Sequence, residues 1–210
     1  MTTDSFESNA EGLNPIQAAV KRSFDVLGAI IGLVLTGWLI ALAWLAAGLD
    51  TGLNGFFIQR RVGRQGKLFY VVKIRTMQPD TANTTTVTSA GDSRITRLGA
   101  FLRRTKIDEL PQLWNVLIGD MSFVGPRPDV PGYADKLTGE AKLLLSVRPG
   151  LTGPATLAYR DEEKILAQQR DPQRYNDEVI YPDKVRINLE YIRHWRFRDD
   201  LRYIWQTVFG

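Results

Sequence analysis

The densest run of reactive side chains is Arg103-Arg104-Thr105-Lys106-Ile107-Asp108-Glu109-Leu110-Pro111. Two adjacent carboxylates follow three cations and precede an expected helix start. Such a group can hold Mg²⁺ and a phosphate together: the metal bridges carboxylate and phosphate oxygens, arginines take the remaining charge, and the helix N-terminus adds positive potential. The same spacing has a structural reading, because Thr105-x-x-Asp108 has the form of a helix capping box. Spacing alone leaves both open.

A second group is Ser122-Phe123-Val124-Gly125-Pro126-Arg127-Pro128. Each proline fixes its own φ and restricts the residue before it, so Arg127 sits on a constrained backbone. A held guanidinium suits two-oxygen recognition of phosphate; the alternative is a surface turn with a solvated arginine. Arg148 before Pro149-Gly150 repeats the arrangement more weakly, and Lys73 and Arg75 place two cations on one side of an expected strand. The phosphate-binding candidates are therefore Arg103, Arg127, Lys73, Arg75 and Arg148. Asp108 and Glu109 are the candidate catalytic and metal-holding pair.

Composition narrows the chemistry. The 210 residues contain no cysteine and one histidine, His194. Disulfides, thiolate metal sites and thiol nucleophiles are excluded, and so is a multi-histidine metal centre. Net charge is +4 with a sequence pI near 9.4, which favours anionic partners. The basic residues are scattered among proline turns with no nucleic-acid recognition motif, so no nucleic-acid partner is expected.

Positioning these residues requires an anchor and a small core. Residues 26–47 carry no charge. As a helix, 22 residues span about 33 Å, enough for the ~30 Å hydrocarbon core of a bilayer; a buried soluble helix is the other reading. Lys21 and Arg22 flank one end, and Arg60, Arg61, Arg64, Lys67, Lys73 and Arg75 follow the other. The positive-inside rule assigns both flanks to the cytoplasm, which a re-entrant hairpin satisfies and a straight crossing does not. Thr36-Gly37 is the expected break, and Lys21 and Arg22 are expected at membrane headgroups.

The remaining divisions are a mobile arm over 1–20, a membrane anchor over 21–50 and a catalytic domain over 51–210. Within that domain, 56–61 and 68–74 read as a β-hairpin around Gly63-Arg64-Gln65-Gly66. Residues 79–93 read as a mobile loop. Helices are expected over 95–104 and 111–118, and a charged exposed helix over 161–170. Residues 184–210 mix tryptophan and phenylalanine with arginine, as interfacial helices do. The expected class is α+β, mainly helical, with amphipathic helices around a compact catalytic core.

Taken together, the motifs resemble the bacterial sugar transferases of the small monotopic phosphoglycosyl transferase family. The resemblance covers about 20–208. It rests on Lys21-Arg22-Ser23-Phe24-Asp25, Phe57-x-Gln59-x-Arg61-Val62-Gly63-Arg64-x-Gly66-Lys67, Lys73-Ile74-Arg75-Thr76-Met77 and Arg97-Leu98-Gly99-x-Phe101-Leu102-Arg103. It continues through Asp108-Glu109-Leu110-Pro111-Gln112-Leu113-Trp114-Asn115, Gly119 to Pro128, and Val147 to Gly153. It implies a UDP-sugar donor, a polyprenyl (undecaprenyl) phosphate acceptor, membrane lipids as surroundings, Mg²⁺ as cofactor, and an assembly that includes a homodimer. It implies Asp108 as nucleophile, forming a phosphosugar-aspartate with release of UMP. Glu109 is implied as metal ligand or base, and Arg103 and Arg127 as phosphate contacts. It also implies a bacterial inner membrane location with the catalytic domain on the cytoplasmic face.

The chain departs from many relatives in three places. Gly37-Trp38 stands where they have Ser-Pro, Gly52-Leu53-Asn54-Gly55 replaces a Pro-Gly-Pro turn, and Asn188 replaces an aspartate. The segment 161–180 reads as a subgroup elaboration near the sugar end of the site. A lipid-phosphate phosphatase and a non-enzymatic anion-binding module on a membrane anchor are the competing readings.

Overall fold

The computed structural model describes residues 12–79 and 92–210. Most of the expected 79–93 loop lies outside them. The first element, α1 (Pro15–Thr51), is set at its start by a full capping box. Asn14 Oδ1 accepts from Gln17 N at 2.8 Å, and Gln17 Oε1 accepts from Asn14 N at 3.0 Å. Pro15 occupies the first turn, where its missing N–H costs nothing. Gly52 ends the helix at φ +68°. Residues 15–20, expected in a mobile arm, are thus helical.

One face of α1 buries Lys21, Asp25, Ala29, Ala43 and Ala47. Spacings of four, and of fourteen between Ala29 and Ala43, keep them on one stripe, and the alanines let the backbone approach closely. Ala29 packs with Phe69, Val71, Val116 and Met121, whereas Ala43 and Ala47 pack with Ile74 and Leu102. The helix is therefore fastened to one domain on both sides of its midpoint. Leu27, Ile31, Val34, Leu35, Trp38, Leu42, Leu45 and Leu49 face outward and are exposed.

The expected two-armed hairpin is not what α1 forms. The helix runs unbroken through Thr36-Gly37. No proline removes a backbone hydrogen bond there, and one glycine costs only about 1 kcal/mol of helix propensity. The Thr36 hydroxyl donates to Gly32 O at 2.7 Å, an ordinary bond back along the helix.

The hairpin of β1 (Phe56–Val62) and β2 (Leu68–Ile74) is antiparallel, with Phe56 opposite Ile74 and Val62 opposite Leu68. Helix α2 (Arg97–Arg104) is capped by the Thr96 side chain, which accepts from Gly99 N at 2.8 Å. A Cβ at Gly99 would meet Thr76 O at 2.0 Å, so only glycine lets α2 start this close to the chain leaving β2. Helix α3 (Gln112–Ile118) lies along the edge of β2. The Asn115 amide donates to Tyr70 O at 2.7 Å and accepts from Val72 N at 3.2 Å, acting as a short surrogate strand.

A parallel pair, β3 (Ser122–Val124) and β4 (Gly150–Thr152), was not foreseen from sequence. A Cβ at Gly150 would fall 2.2 Å from Gly125 N, which explains the glycines flanking both prolines. Short helices α4 (Pro154–Ala158), α5 (Glu162–Ala167) and α6 (Pro172–Tyr175) follow, then a π-helical turn over Asn176–Ile180, α7 (Tyr181–Arg193) and α8 (Phe197–Phe209). Val124, Leu143, Leu144, Val147, Tyr191, Ile192 and Trp195 form the core beneath α7 and α8. Leu201, Trp205, Val208 and Phe209 remain exposed on α8. The outcome is the mainly helical α+β class expected.

A buried polar network ties α1 to this C-terminal core. Lys21 Nζ donates to Asp200 Oδ2 at 2.5 Å. Asp200 also accepts from the Tyr191 hydroxyl at 2.7 Å and from Trp195 Nε1 at 3.1 Å. Asp25 Oδ1 accepts from Ser122 Oγ and Phe123 N. Lys21 is 7% exposed. It is an internal ion-pair partner and not the headgroup contact its position beside the apolar run suggested.

Candidate active site

Asp108 lies in a 3₁₀ turn, Ile107–Glu109, between α2 and α3. The turn is entered through Lys106 at φ +59°, a left-handed conformation uncommon for a side-chain-bearing residue. The capping-box reading is not realised. The Thr105 hydroxyl donates back to Phe101 O and Leu102 O, and α3 begins after Pro111 without a side-chain cap.

The two carboxylates have opposite environments. Asp108 is 8% exposed, and its Oδ1 is buried with no hydrogen-bond partner among the described residues. Burial, with help from the Glu109 charge, pushes its carboxyl up to about 6 against the opposing pull of Lys73, Arg103 and Lys106. Glu109 Oε1 accepts from Lys73 Nζ at 3.0 Å and from Arg127 Nη2 at 2.5 Å. Burial disfavours the Glu109 charge too, but Arg127 and Lys73 outweigh it and hold this carboxyl far below the usual range. Neighbouring carboxylates driven apart in this way divide their roles: one is a fixed anion, the other a poorly solvated group that titrates near neutrality.

The expected cations separate by location. Arg127 and Lys73 meet at Glu109. Arg103 is also beside the pair, since its charge acts on Asp108, and its guanidinium donates to Glu163 on α5 and to Met77 Sδ at 3.8 Å. Arg75 turns away: Nε donates to Asn54 O at 2.8 Å, in the turn between α1 and β1. Arg148 lies at the far end of α3, where Nε donates to Gly119 O at 2.7 Å. Arg22 joins it there, giving 2.6 and 2.7 Å bonds to Val116 O and Leu117 O. Both arginines satisfy carbonyls at a helix C-terminus, where cations are favoured. Arg22 is thereby engaged within the protein, not at a headgroup.

Sequence reasoning passed over two neighbours of the pair. Arg61 donates to Pro128 O at 3.0 Å and to Gln59 Oε1 at 2.6 Å, which braces the Arg127 loop from β1. Burial and the nearby Arg127 charge push it down to about 10. Asp129 accepts from Val62 N through its backbone, and burial raises its carboxyl to about 6 against Lys184 and Arg61. The available signal was their place in or beside the quoted motifs: Arg61 lies in the motif that spans β1, and Asp129 directly follows the motif that ends at Pro128. Asn188 is buried with Oδ1 unpartnered, and His194 is exposed beside Glu190.

Among the described residues, no group of three or more Asp, Glu or His could hold a metal on its own. The acidic pair offers two carboxylates, one with a free buried oxygen. That suits Mg²⁺, which commonly takes one or two carboxylates and completes its shell with substrate phosphate and water.

A protein-family model described as "Bacterial sugar transferase" matches residues 16–210. The "Putative undecaprenyl-phosphate N-acetylgalactosaminyl 1-phosphate transferase" of Bacillus subtilis (strain 168) is 45% identical over 152 residues, covering 70% of this chain and 81% of that protein. The "UDP-glucose:undecaprenyl-phosphate glucose-1-phosphate transferase" of Caulobacter vibrioides is 36% identical over 197 residues, 90% of this chain and 68% of that one. The "Galactosyl transferase CpsE" of Streptococcus agalactiae serotype III is 34% identical over 200 residues, 90% of this chain but 41% of that longer protein.

Proposed function

The chain belongs to the bacterial sugar transferase family, and on that premise we propose that it moves a sugar 1-phosphate from a UDP-sugar to undecaprenyl phosphate at the cytoplasmic face of the bacterial inner membrane, an early step of polysaccharide synthesis. The observation that carries this reading is the buried, unbonded oxygen of Asp108 beside a carboxylate that gathers Lys73 and Arg127.

The Asp108 carboxylate attacks the phosphorus attached to the sugar. A bond from carboxylate oxygen to phosphorus forms, and the bond from that phosphorus to the bridging oxygen breaks. UMP leaves with the electron pair. An oxygen of undecaprenyl phosphate then attacks the same phosphorus, Asp108 departs as a carboxylate, and the product is a lipid diphosphosugar. Two displacements let a soluble donor and a lipid acceptor use one site in turn. Arg127, Lys73 and Arg103 neutralise the phosphate oxygens, and fixed cations in a partly desolvated site supply most of the barrier reduction. Asp108 and Glu109 would hold Mg²⁺, which supplies further charge neutralisation when bound.

Membrane attachment is supported by the outward row of α1 and the exposed aromatic end of α8. Because α1 is fastened to the domain through Ala29 and again through Ala43 and Ala47, both of its flanks stay on the domain's side, which favours a helix embedded from one leaflet.

The test is nucleotide release by the purified chain with UDP-sugars and undecaprenyl phosphate. UMP release that depends on the lipid, and a phosphosugar adduct lost in Asp108→Asn, are the expected results. Release of inorganic phosphate from undecaprenyl phosphate without a nucleotide donor would replace this reading with a lipid-phosphate phosphatase.

A further inference from the structure

A 460 Å³ pocket lies beyond the phosphate-binding loop, lined by Gly132, Tyr133, Lys136, Leu137, Asp177 and Tyr181. Its volume suits a small organic ligand. We infer that this pocket takes the nucleoside of the donor, with the base against Tyr133 and Tyr181 and the ribose 2′-hydroxyl on Asp177; the inference rests on the transferase reading above.

Three observations support it. The first is position. Pocket and phosphate site are joined by one short stretch of chain, since Tyr133 follows Arg127 by six residues, at most about 20 Å when fully extended. Asp129, two residues after Arg127, lies in the fields of both Arg61 on the phosphate side and Tyr181 on the pocket side. The sugar is bonded to the phosphate under attack and must stay beside Asp108. The nucleoside is one phosphate further away, so it is the arm of the donor that reaches a separate pocket.

The second is shape and chemistry. Tyr133 and Tyr181 meet edge to face, with centroids 5.1 Å apart. Every nucleobase has a π-face that stacks on such rings. The third is the carboxylate. Asp177 Oδ1 accepts from the Tyr133 hydroxyl at 2.8 Å and from Gln173 Nε2 at 3.0 Å. Oδ1 also accepts from Asn176 Nδ2 at 3.1 Å and Oδ2 from Gln173 Nε2 at 3.0 Å, so the carboxylate is fixed in orientation and Oδ2 keeps room for one ribose hydroxyl, a contact a carboxylate makes in dinucleotide-binding folds. Lys136 supplies a donor for pyrimidine carbonyls or the adjacent phosphate.

The experiment uses the full chain in nanodiscs, with UMP and dUMP as calorimetric probes. Tyr133→Ala should weaken UMP about tenfold, the scale of one lost stacking contact. Tyr133→Phe should retain UMP affinity within a few-fold. Asp177→Asn should erase the preference for UMP over dUMP. Because the last two substitutions change few atoms, they keep the test decisive if Tyr133→Ala fails to fold. Unchanged UMP and dUMP binding in all variants, or no UMP binding by the parent chain, overturns the pocket. So does a changed sugar preference at constant UMP affinity, which would make it a sugar subsite. Turnover of UDP-sugar by the parent chain, measured separately, reports on the transferase reading: turnover with unaffected UMP binding sinks only the pocket.

Discussion

Arg127 Nη2 and Glu109 Oε1 are 2.5 Å apart, and the same oxygen takes the Lys73 ammonium at 3.0 Å. A loop stiffened by two prolines, a strand and a 3₁₀ turn therefore converge on one carboxylate. Glu109 assembles the cations, and Asp108, one residue earlier, is left without their direct bonds.

Glu109→Gln should disperse that assembly. The amide retains shape but loses the charge that pairs Lys73 and Arg127. The Asp108 carboxyl should also move below its value of about 6, because one of the charges raising it has gone. A fall of at least two orders of magnitude in lipid-dependent UMP release is expected, checked by steady-state kinetics together with the pH profile.

The pH profile of the parent chain should itself rise through pH 6. In the proposed first displacement, attack requires ionised Asp108, so kcat/KM for donor should fall about tenfold per unit below its folded pKa of about 6. A profile flat from pH 5 to 7 would mean that another group limits the first displacement.

The same group should destabilise the fold. A carboxyl whose folded pKa is raised from 3.8 to about 6 binds protons more tightly in the folded state. Stability is then lost as pH rises from about 4 to about 6 and stays lost above it. The full effect at pH 7 is about 3 kcal/mol by the linkage relation. Asp108→Asn should therefore unfold at higher denaturant at pH 7 than the parent chain, with little difference at pH 4, while losing turnover.

Removing the partner of a buried charge should do the reverse. Lys21→Met leaves Asp200, 1% exposed, without its cation. A loss of about 3–5 kcal/mol is expected on chemical denaturation. Arg186→Gln, which breaks only an exposed pair with Asp183, should change stability by less than about 1 kcal/mol.

Glu163 on α5 occupies the guanidinium of Arg103, a cation beside Asp108. In the proposed reaction a donor phosphate competes for it. Glu163→Gln should lower KM for the UDP-sugar several-fold with kcat changed less, and the effect should shrink at high salt, where surface charges are screened.

Much of this arrangement was legible in the sequence because local chemistry specified it. The 56–74 hairpin, α2 and α3 follow from alternation, helical spacing and the glycine after Ile118. The cationic partners of Glu109 were among those singled out, since constrained or paired cations near an acidic pair have few other uses. What escaped depended on distant segments. Arg75 and Lys73 share a strand face by spacing, yet the turn at Asn54 captures one and Glu109 the other. Lys21 looked like a headgroup contact because its partner, Asp200, is 179 residues away. The parallel β3–β4 pair has three residues per strand, too few for periodicity to register. The break expected at Thr36-Gly37 follows from the basic residues on both flanks of the apolar run, but flank charge does not act on the helix backbone, and without a proline the helix continues through it.

The Arg22 bonds to Val116 O and Leu117 O belong to a seam along which α3 lies on α1, where Ala29 packs with Val116 and a Cβ on Gly32 would meet the Leu113 side chain at 3.0 Å. The seven residues of α3 measure about 10 Å. Both halves of α3 meet the long apolar helix, and the acidic pair sits in the turn just before α3. In the proposed membrane-bound transferase, the depth of α1 in lipid would therefore fix the height of Asp108 through this seam. The proposed acceptor phosphate is confined to a narrow layer of headgroups, and a helix locked side by side with the anchor would keep the attacking atom level with that layer.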